Sequence, residues 1–430
     1  MNDTRWTGDQ LGRWRDADHL RDLVTRRLAA PGARRTLTIH LDCPSGDGQS
    51  FFLRRLRDDL VALDHPVAFL DAARDQAAGD PLIALVGALI GALTGHVSTK
   101  LARTSLEAVP ELIASLLNPA SADDGQPLRR LIVRAQALET LGRRLASVIA
   151  SLPRAPRPKA VRLPVYLLVD GLDACRPSYA ITLIERVRHG LGIDDLVVIM
   201  AADRHELARM AAVVQGPGVD AVRFFNRLFD LRHRMPHGGS ARDFVAARLP
   251  EEVAVDPRLY SFEANPVDYI TGTMESFGLN LSEMQAVLGL FADIVRGWTR
   301  AVPIELGALV PLVIGHVRGL DLALDEDFLN RLIESARRKG AGSQKLVRFS
   351  FFGAEETASP AELFADYAIA AANPIAQGLT GDLTRIASIV RSRLADEYLI
   401  LHRGRADGEA LSIIADYPAI VESAGRMTEV

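Results

Sequence analysis

The chain has 430 residues, 48% of them hydrophobic and 24% charged, with a formal net charge of −4. That composition suits a large apolar core and excludes whole-chain disorder, and the near-neutral charge removes any global electrostatic drive toward nucleic acid or an anionic membrane. Two cysteines, Cys43 and Cys175, are too few for a disulfide framework or a zinc cluster; together with a polar N-terminus that lacks a signal-peptide core, they lead to the expectation of a cytoplasmic protein.

DQLGRWRDADHLRDLVTRRLAA at 9–30 spaces its apolar residues at helical intervals among charges, which predicts a surface amphipathic helix or helix pair. TLTIHLD at 36–42 alternates as a strand does, and it runs into Cys43-Pro44-Ser45-Gly46-Asp47-Gly48-Gln49-Ser50, a turn composition followed by the helical FFLRRLRDDLVAL. PVAFLDAARD at 66–75 reads as a second strand. PLIALVGALIGALTG at 81–95 reads as a buried helix, since it falls short of the roughly 20 apolar residues that cross a bilayer. Residues 97–150 read as a helical insertion broken by an exposed loop at 118–127, and 151–164 as a proline-rich basic connector. VYLLVDGLD is a continuous apolar run ending in acids, as buried parallel strands are; ITLIERVRHGLG follows as helix, LVVIMAAD at 196–203 as strand and HELARMAAVV as helix. This order predicts a doubly wound, mostly parallel α/β core over 1–240. Helical periodicity then dominates, predicting a helical C-terminal lobe over 241–430, with GRADGEALSII as a turn and ESAGRMTEV as a loose tail.

The strand–glycine loop–helix order at 36–62 is that of a phosphate-binding loop. Such a loop points backbone N–H groups at phosphate oxygens from a helix N-terminus, uses a lysine against the β- and γ-phosphates, and holds Mg²⁺ with a serine or threonine, in the pattern GxxxxGK[ST]. Here Gly48 and Ser50 keep their places, while Cys43 stands for the first glycine and Gln49 for the lysine. A strand–helix turn with no ligand is the competing reading of the segment taken alone. The strand ending in Asp170 supplies the acid expected of a Walker B element, and the fold class is therefore read as α/β, P-loop NTPase-like.

VYLLVDGLDACRPSYAITLIERVRHGLGIDDLVVIMAADRHEL at 165–207 resembles the KAP family of P-loop NTPases, whose Walker B region runs from a hydrophobic stretch through IDDLDRC and a proline to a helix and a strand ending in AxDxxxL. DQLGR, LDAARDQAAGDPLIALVGAL, FFNRLFDLRHRMP and LNLSEMQAVL resemble further family stretches in the same order, over about residues 9–325. The resemblance implies ATP and Mg²⁺ as ligands. It assigns the nucleotide loop to Ser45, Gly46, Asp47, Gly48, Gln49, Ser50 and Phe51, the metal to Ser50 and Asp170, and catalytic positions to Asp173 and Arg227, the latter standing where a lysine is common, with a solvated surface arginine as its preferred alternative. Asp203 resembles a polar residue that senses the γ-phosphate, with an N-cap of the following helix as the equal alternative. Gly171 replaces a second aspartate, Ala174 an arginine and Met284 another arginine, while Cys175 matches a frequent cysteine of the family, here read as structural.

Losing a charged hydrogen bond costs roughly 1.5–3 kcal/mol, so Gln49 in place of lysine predicts about 10- to 150-fold weaker nucleotide binding. Turnover suffers more, each lost transition-state contact costing on the order of 10²–10³ in rate. The expectation is a pseudo-NTPase, serving as a scaffold or nucleotide-responsive switch with a protein partner or as a homo-oligomer. One alternative is an active ATPase completed by Arg54, Arg55, Asp173 or a neighbouring subunit. Another is a nucleic-acid-binding module using the arginines of 128–146 and 154–162, for which a solvated helix face and a basic connector are the preferred reading. The resemblance also brings phage defence into view, because bacterial family members include a plasmid-encoded phage-exclusion protein. The membrane insertion common in the family is missing from this sequence, so no membrane span is expected.

Overall fold

The opening amphipathic segment forms α1 (Trp14–Ala29), which buries Ala17, Leu20 and Val24 at helical spacing. The computed structural model describes residues 4–30, 36–117, 127–152, 163–190, 192–235, 240–263, 265–338, 346–351, 354–372, 385–401 and 412–425. The chain divides into two compact units, Met1–Gly238 and Gly239–Val430.

In the first unit, β1 (Leu37–Asp42) leads into α2 (Gln49–Ala62), and β2 (Val67–Asp71) follows. The second strand is shorter than the expected 66–75, because the Asp71 carboxylate accepts the Arg74 N–H and starts the short helix α3 (Ala72–Asp75). Asp80 caps α4 (Pro81–Thr94) through the Leu82 N–H at 2.8 Å, with Pro81 in the first turn where its missing N–H costs nothing. Next come α5 (Lys100–Glu107), α6 (Val109–Leu117) and α7 (Pro127–Ala150); most of the expected loop at 118–127 and of the connector at 151–164 lies outside the described residues, as do the side chains of the first turns of α7. The unit closes with β3 (Val165–Asp170), α8 (Pro177–Gly190), β4 (Leu196–Ala202), α9 (Arg204–Gln215), α10 (Ala221–Leu228) and β5 (Leu231–Arg234).

All five strands are parallel, in the order β2-β3-β4-β1-β5. Alternation along each strand sends side chains to two faces, and both are covered, as a parallel sheet with crossover helices requires. Ile39, Leu41, Leu168, Val197 and Ile199 join Leu20 and Val24 of α1 and Phe52 and Leu56 of α2. The alternate residues Val165, Leu167, Val169, Val198 and Met200 meet the apolar faces of α4, α8 and α9. The helix at 81–94 is thus a core element, with Leu82, Leu85, Val86, Leu89 and Leu93 buried. Among the described residues no single helix is long and apolar enough to cross a membrane; one pair, Ala72–Ala78 with Pro81–Thr94, reaches that length and composition only across a 112° bend.

The second unit holds α11 (Ala241–Arg248), α12 (Glu251–Ala254), β6 (Leu259–Tyr260), α13 (Pro266–Ser276), α14 (Leu281–Gly297), β7 (Ile304–Glu305), α15 (Leu306–Val317) and α16 (Glu326–Arg338). It ends with β8 (Val347–Phe351), β9 (Ala354–Ala358), α17 (Pro360–Ala371), α18 (Arg385–Leu401) and α19 (Tyr417–Gly425). Reciprocal capping boxes begin α14 (Asn280 with Glu283) and α17 (Ser359 with Glu362). Helices dominate, yet β6 pairs with β7 and β8 with β9, strands that the helical periodicity does not announce. The expected loose tail starts too early: Glu422–Gly425 continue α19, which is anchored by buried Tyr417 and Val421.

Candidate functional site

Residues 43–48 cross from the C-terminal end of β1 to the start of α2. Gly46 and Gly48 have φ of 86° and 87°, the left-handed region that side chains other than glycine enter at a cost. A Cβ on Gly48 would meet nothing within 4 Å, so the backbone conformation and not space calls for glycine there. Gly48 offers α2 no side-chain cap, and the first helical bond runs from the Phe52 N–H to the Gly48 carbonyl at 3.0 Å. The N–H groups of Gln49, Ser50 and Phe51 therefore precede the helix's own hydrogen-bond ladder, at the positive end of a 14-residue helix, which is the arrangement that takes an anion.

The side chain at the lysine position turns inward. Gln49 is 7% exposed; its amide donates to the Cys43 carbonyl and, at 3.4 Å, to Asp173 Oδ2. This contact brings the loop to the turn after β3. The strands themselves are not neighbours, since β4 lies between β1 and β3, putting them about 10 Å apart at the usual strand spacing. Burial raises the Asp173 carboxyl above its ordinary 3.8, opposed by hydrogen bonds from its own backbone, from the Gln49 amide and from the Asp203 backbone. Asp170 is buried at the end of β3 and accepts the Gly171 N–H at 2.9 Å through one oxygen. Ser50, one residue into α2 from Gln49, is exposed. A hydroxyl and a carboxylate are the hard oxygen donors Mg²⁺ takes, with water completing its shell, so Ser50 and Asp170 fit that ion.

Asp203 takes the N-cap position weighed for it in the sequence and also approaches the loop. Its Oδ1 accepts the His205 N–H at 2.6 Å and caps α9, while Oδ2 lies 3.4 Å from the Ser45 N–H of the loop. A carboxylate thus already touches the loop. Gly171, with φ 69°, sits where the resemblance would place a second acid; a Cβ there would come within 3.2 Å of Ala73 Cβ and 3.5 Å of Asp71 Oδ1.

Supports of the loop escaped the sequence reading. Arg13 is only 4% exposed and donates to the Asp47 carbonyl at 3.3 Å, from a segment whose arginines read as solvent-facing. Asp42, the last residue of β1, is gripped by Arg232 through Nε at 3.0 Å and Nη2 at 2.8 Å, and accepts the Arg204 N–H at 3.3 Å. Beside it, His40 stacks on Phe229 with centroids 5.1 Å apart and bonds the Ala202 carbonyl at 3.0 Å. The only advance signal was the polar half of the TLTIHLD alternation.

Arg227 is exposed on the last turn of α10, next to Leu228, whose carbonyl accepts from Thr38 Oγ1 at 3.2 Å. Thr38 is the second residue of β1 and the loop leaves the strand's far end, so roughly 16 Å of strand separates them at ~3.3 Å per residue, and Arg227 does not reach the loop of its own chain. Arg55 donates to the Thr7 carbonyl at 2.8 Å and lies over the Phe51 ring, while Arg54 is exposed on α2. Met284 is buried in the core of the second unit. Burial pushes the thiols of Cys43 and Cys175 up to about 12, which leaves neither as a thiolate at neutral pH. No cluster of three or more metal-binding side chains occurs among the described residues.

Fold and site together define an α/β protein of P-loop NTPase-like architecture, with a glycine loop at the C-terminal edge of a parallel sheet. No protein-family model matches the chain, and no curated protein matches it. Among solved structures, one similar chain is titled "Structure of the Aeropyrum Pernix ORC2 protein (ADPNP-ADP complexes)", at 12% identity and a TM-score of 0.35 over 98% of each chain. A likeness that slight has no bearing on what this protein does.

Proposed function

We propose that this protein is a KAP-like P-loop NTPase-fold protein that binds nucleotide weakly and does not hydrolyse it, acting as a scaffold or nucleotide-responsive switch for a protein partner or for further copies of itself. The observation that carries this reading is Gln49. At the position from which a lysine would neutralise the β- and γ-phosphates, a neutral amide is buried and spent on the Cys43 carbonyl and Asp173. The backbone cradle of Gly46, Gly48 and the first turn of α2 remains, and Ser50 and Asp170 supply donors for Mg²⁺. Binding is therefore weakened and retained, while the preorganised charge needed in the transition state is gone. Phosphate release by the purified protein, set beside Asp170→Ala, tests the reading. No release above background is expected from either; turnover of ~1 per second, in the range of ordinary enzymes and lost in the variant, refutes it.

The placement of Arg227 favours a second reading, in which a neighbouring copy completes the site. An exposed guanidinium too far from its own loop serves catalysis only across an interface. In that case turnover appears on oligomerisation and disappears with Arg227→Ala.

A further inference from the structure

We infer that the loop prefers a nucleoside diphosphate to the corresponding triphosphate, an inference that rests on the proposed nucleotide-binding reading. In a phosphate loop the backbone N–H groups cradle the α- and β-phosphates, and the lysine reaches the β- and γ-phosphates. This protein keeps the first set of contacts and has lost the second. Gly46 and Gly48 hold the left-handed conformations that aim the loop, and the N–H groups of Gln49, Ser50 and Phe51 precede the first helical bond of α2. Those donors are backbone and do not depend on the missing cation.

The surroundings of the γ-position are of the opposite sign. Asp173 Oδ2 lies 3.4 Å from the Gln49 amide nitrogen, and Asp203 Oδ2 lies 3.4 Å from the Ser45 nitrogen. One cation in contact with the loop, Arg13, reaches it at the Asp47 carbonyl and is itself 4% exposed and paired with Asp16 at 3.8 Å. A terminal phosphate extending past the cradle toward residue 49 would meet Asp173 and a neutral amide in place of an ammonium, whereas a diphosphate ends short of Asp173; Asp203, at the Ser45 N–H, faces both ligands. Mg²⁺, if held by Ser50 and Asp170, would offset part of the repulsion for both ligands without replacing the lost side chain.

The test is isothermal titration calorimetry on the full-length protein with ADP and with ATP, each with Mg²⁺, repeated on Asp173→Asn/Asp203→Asn. Asparagine keeps the N-cap of α9 and an acceptor for Gln49 while removing both charges. ADP is expected to bind about 10-fold or more tightly than ATP, and the double variant to narrow that ratio chiefly by binding ATP better. Circular dichroism confirms that the variant is folded, and Asp173→Asn alone carries the comparison where the double variant is not. ATP binding as tightly as ADP overturns the inference and leaves the nucleotide-binding reading standing. Binding of neither at millimolar concentration overturns both.

Discussion

Replacing Gln49 by lysine restores the missing cation and measures what its absence costs. A charged hydrogen bond to phosphate contributes ~1.5–3 kcal/mol, or about 10- to 150-fold in affinity. The structure points to the lower part of that range. Gln49 is 7% exposed, and its amide nitrogen already serves the Cys43 carbonyl and the Asp173 carboxylate. An ammonium in its place has three donors, two of which inherit these acceptors, leaving one for a phosphate. Pairing with Asp173 also offsets the desolvation of the new charge, so the fold is expected to tolerate it. We expect Q49K to bind ATP about 10-fold more tightly, with a smaller gain for ADP, measured by calorimetry with Mg²⁺. A folded Q49K that binds ATP no better than the native protein refutes the argument that the missing lysine limits affinity. An equal gain for both nucleotides refutes the assignment of that position to the terminal phosphate.

Gly171→Asp, which reinstates the acid implied by the resemblance, is expected to cost ~1–2 kcal/mol in denaturant unfolding and to produce no phosphate release, because the position has φ 69° and faces Ala73 and Asp71. Gly307→Ala drives a methyl into the ring of Tyr367, a fully buried residue whose hydroxyl donates to Glu305 at 2.6 Å; a loss of about 1–3 kcal/mol in urea unfolding is expected, and an unchanged midpoint contradicts the packing. Burial lowers the imidazole pKa of His40, against the Ala202 hydrogen bond, and of His233, both from an ordinary 6.5. Between the lowered values and 6.5 the unfolded chain holds more protons than the native one, so these two groups contribute stability above 6.5 that is lost as pH falls below it. Carboxyls raised by burial, such as Asp173 and Glu305, act with the opposite sign in their own range, so the useful comparison is with His40→Phe, which keeps a ring against Phe229. The loss of stability between about pH 7.5 and pH 5.5 is expected to be smaller in that variant than in the native protein.

Local pattern carried a good deal of this. Continuous apolar runs at 165–170 and 196–202 read as strands buried on both faces, and the glycines at 46 and 48 mark a left-handed turn between strand and helix. The asparagine, aspartate and serine caps and the core face of α4 follow from the same short-range chemistry. The fifth strand, LRHR, was not legible, because its alternation is half charged and its pairing with β1 is a long-range choice. The second unit hid its strands for a related reason: β6 and β7 are two residues each, too short to carry a period.

What the sequence determined by itself was the order of the main elements from β1 to α9, the glycine loop and the loss of its lysine, since these depend on residue identity over a few neighbouring positions. Only the tertiary structure decided what surrounds that loop. It interposed β4 between the two site strands, turned Gln49 onto Asp173, set the Asp203 carboxylate beside Ser45, buried Arg13 against Asp47 and left Arg227 near the end of β1 opposite the loop. The physical reason is distance along the chain. Electrostatic and hydrogen-bond partners separated by 34 to 158 residues meet only after strand order is fixed, and no local propensity encodes that order.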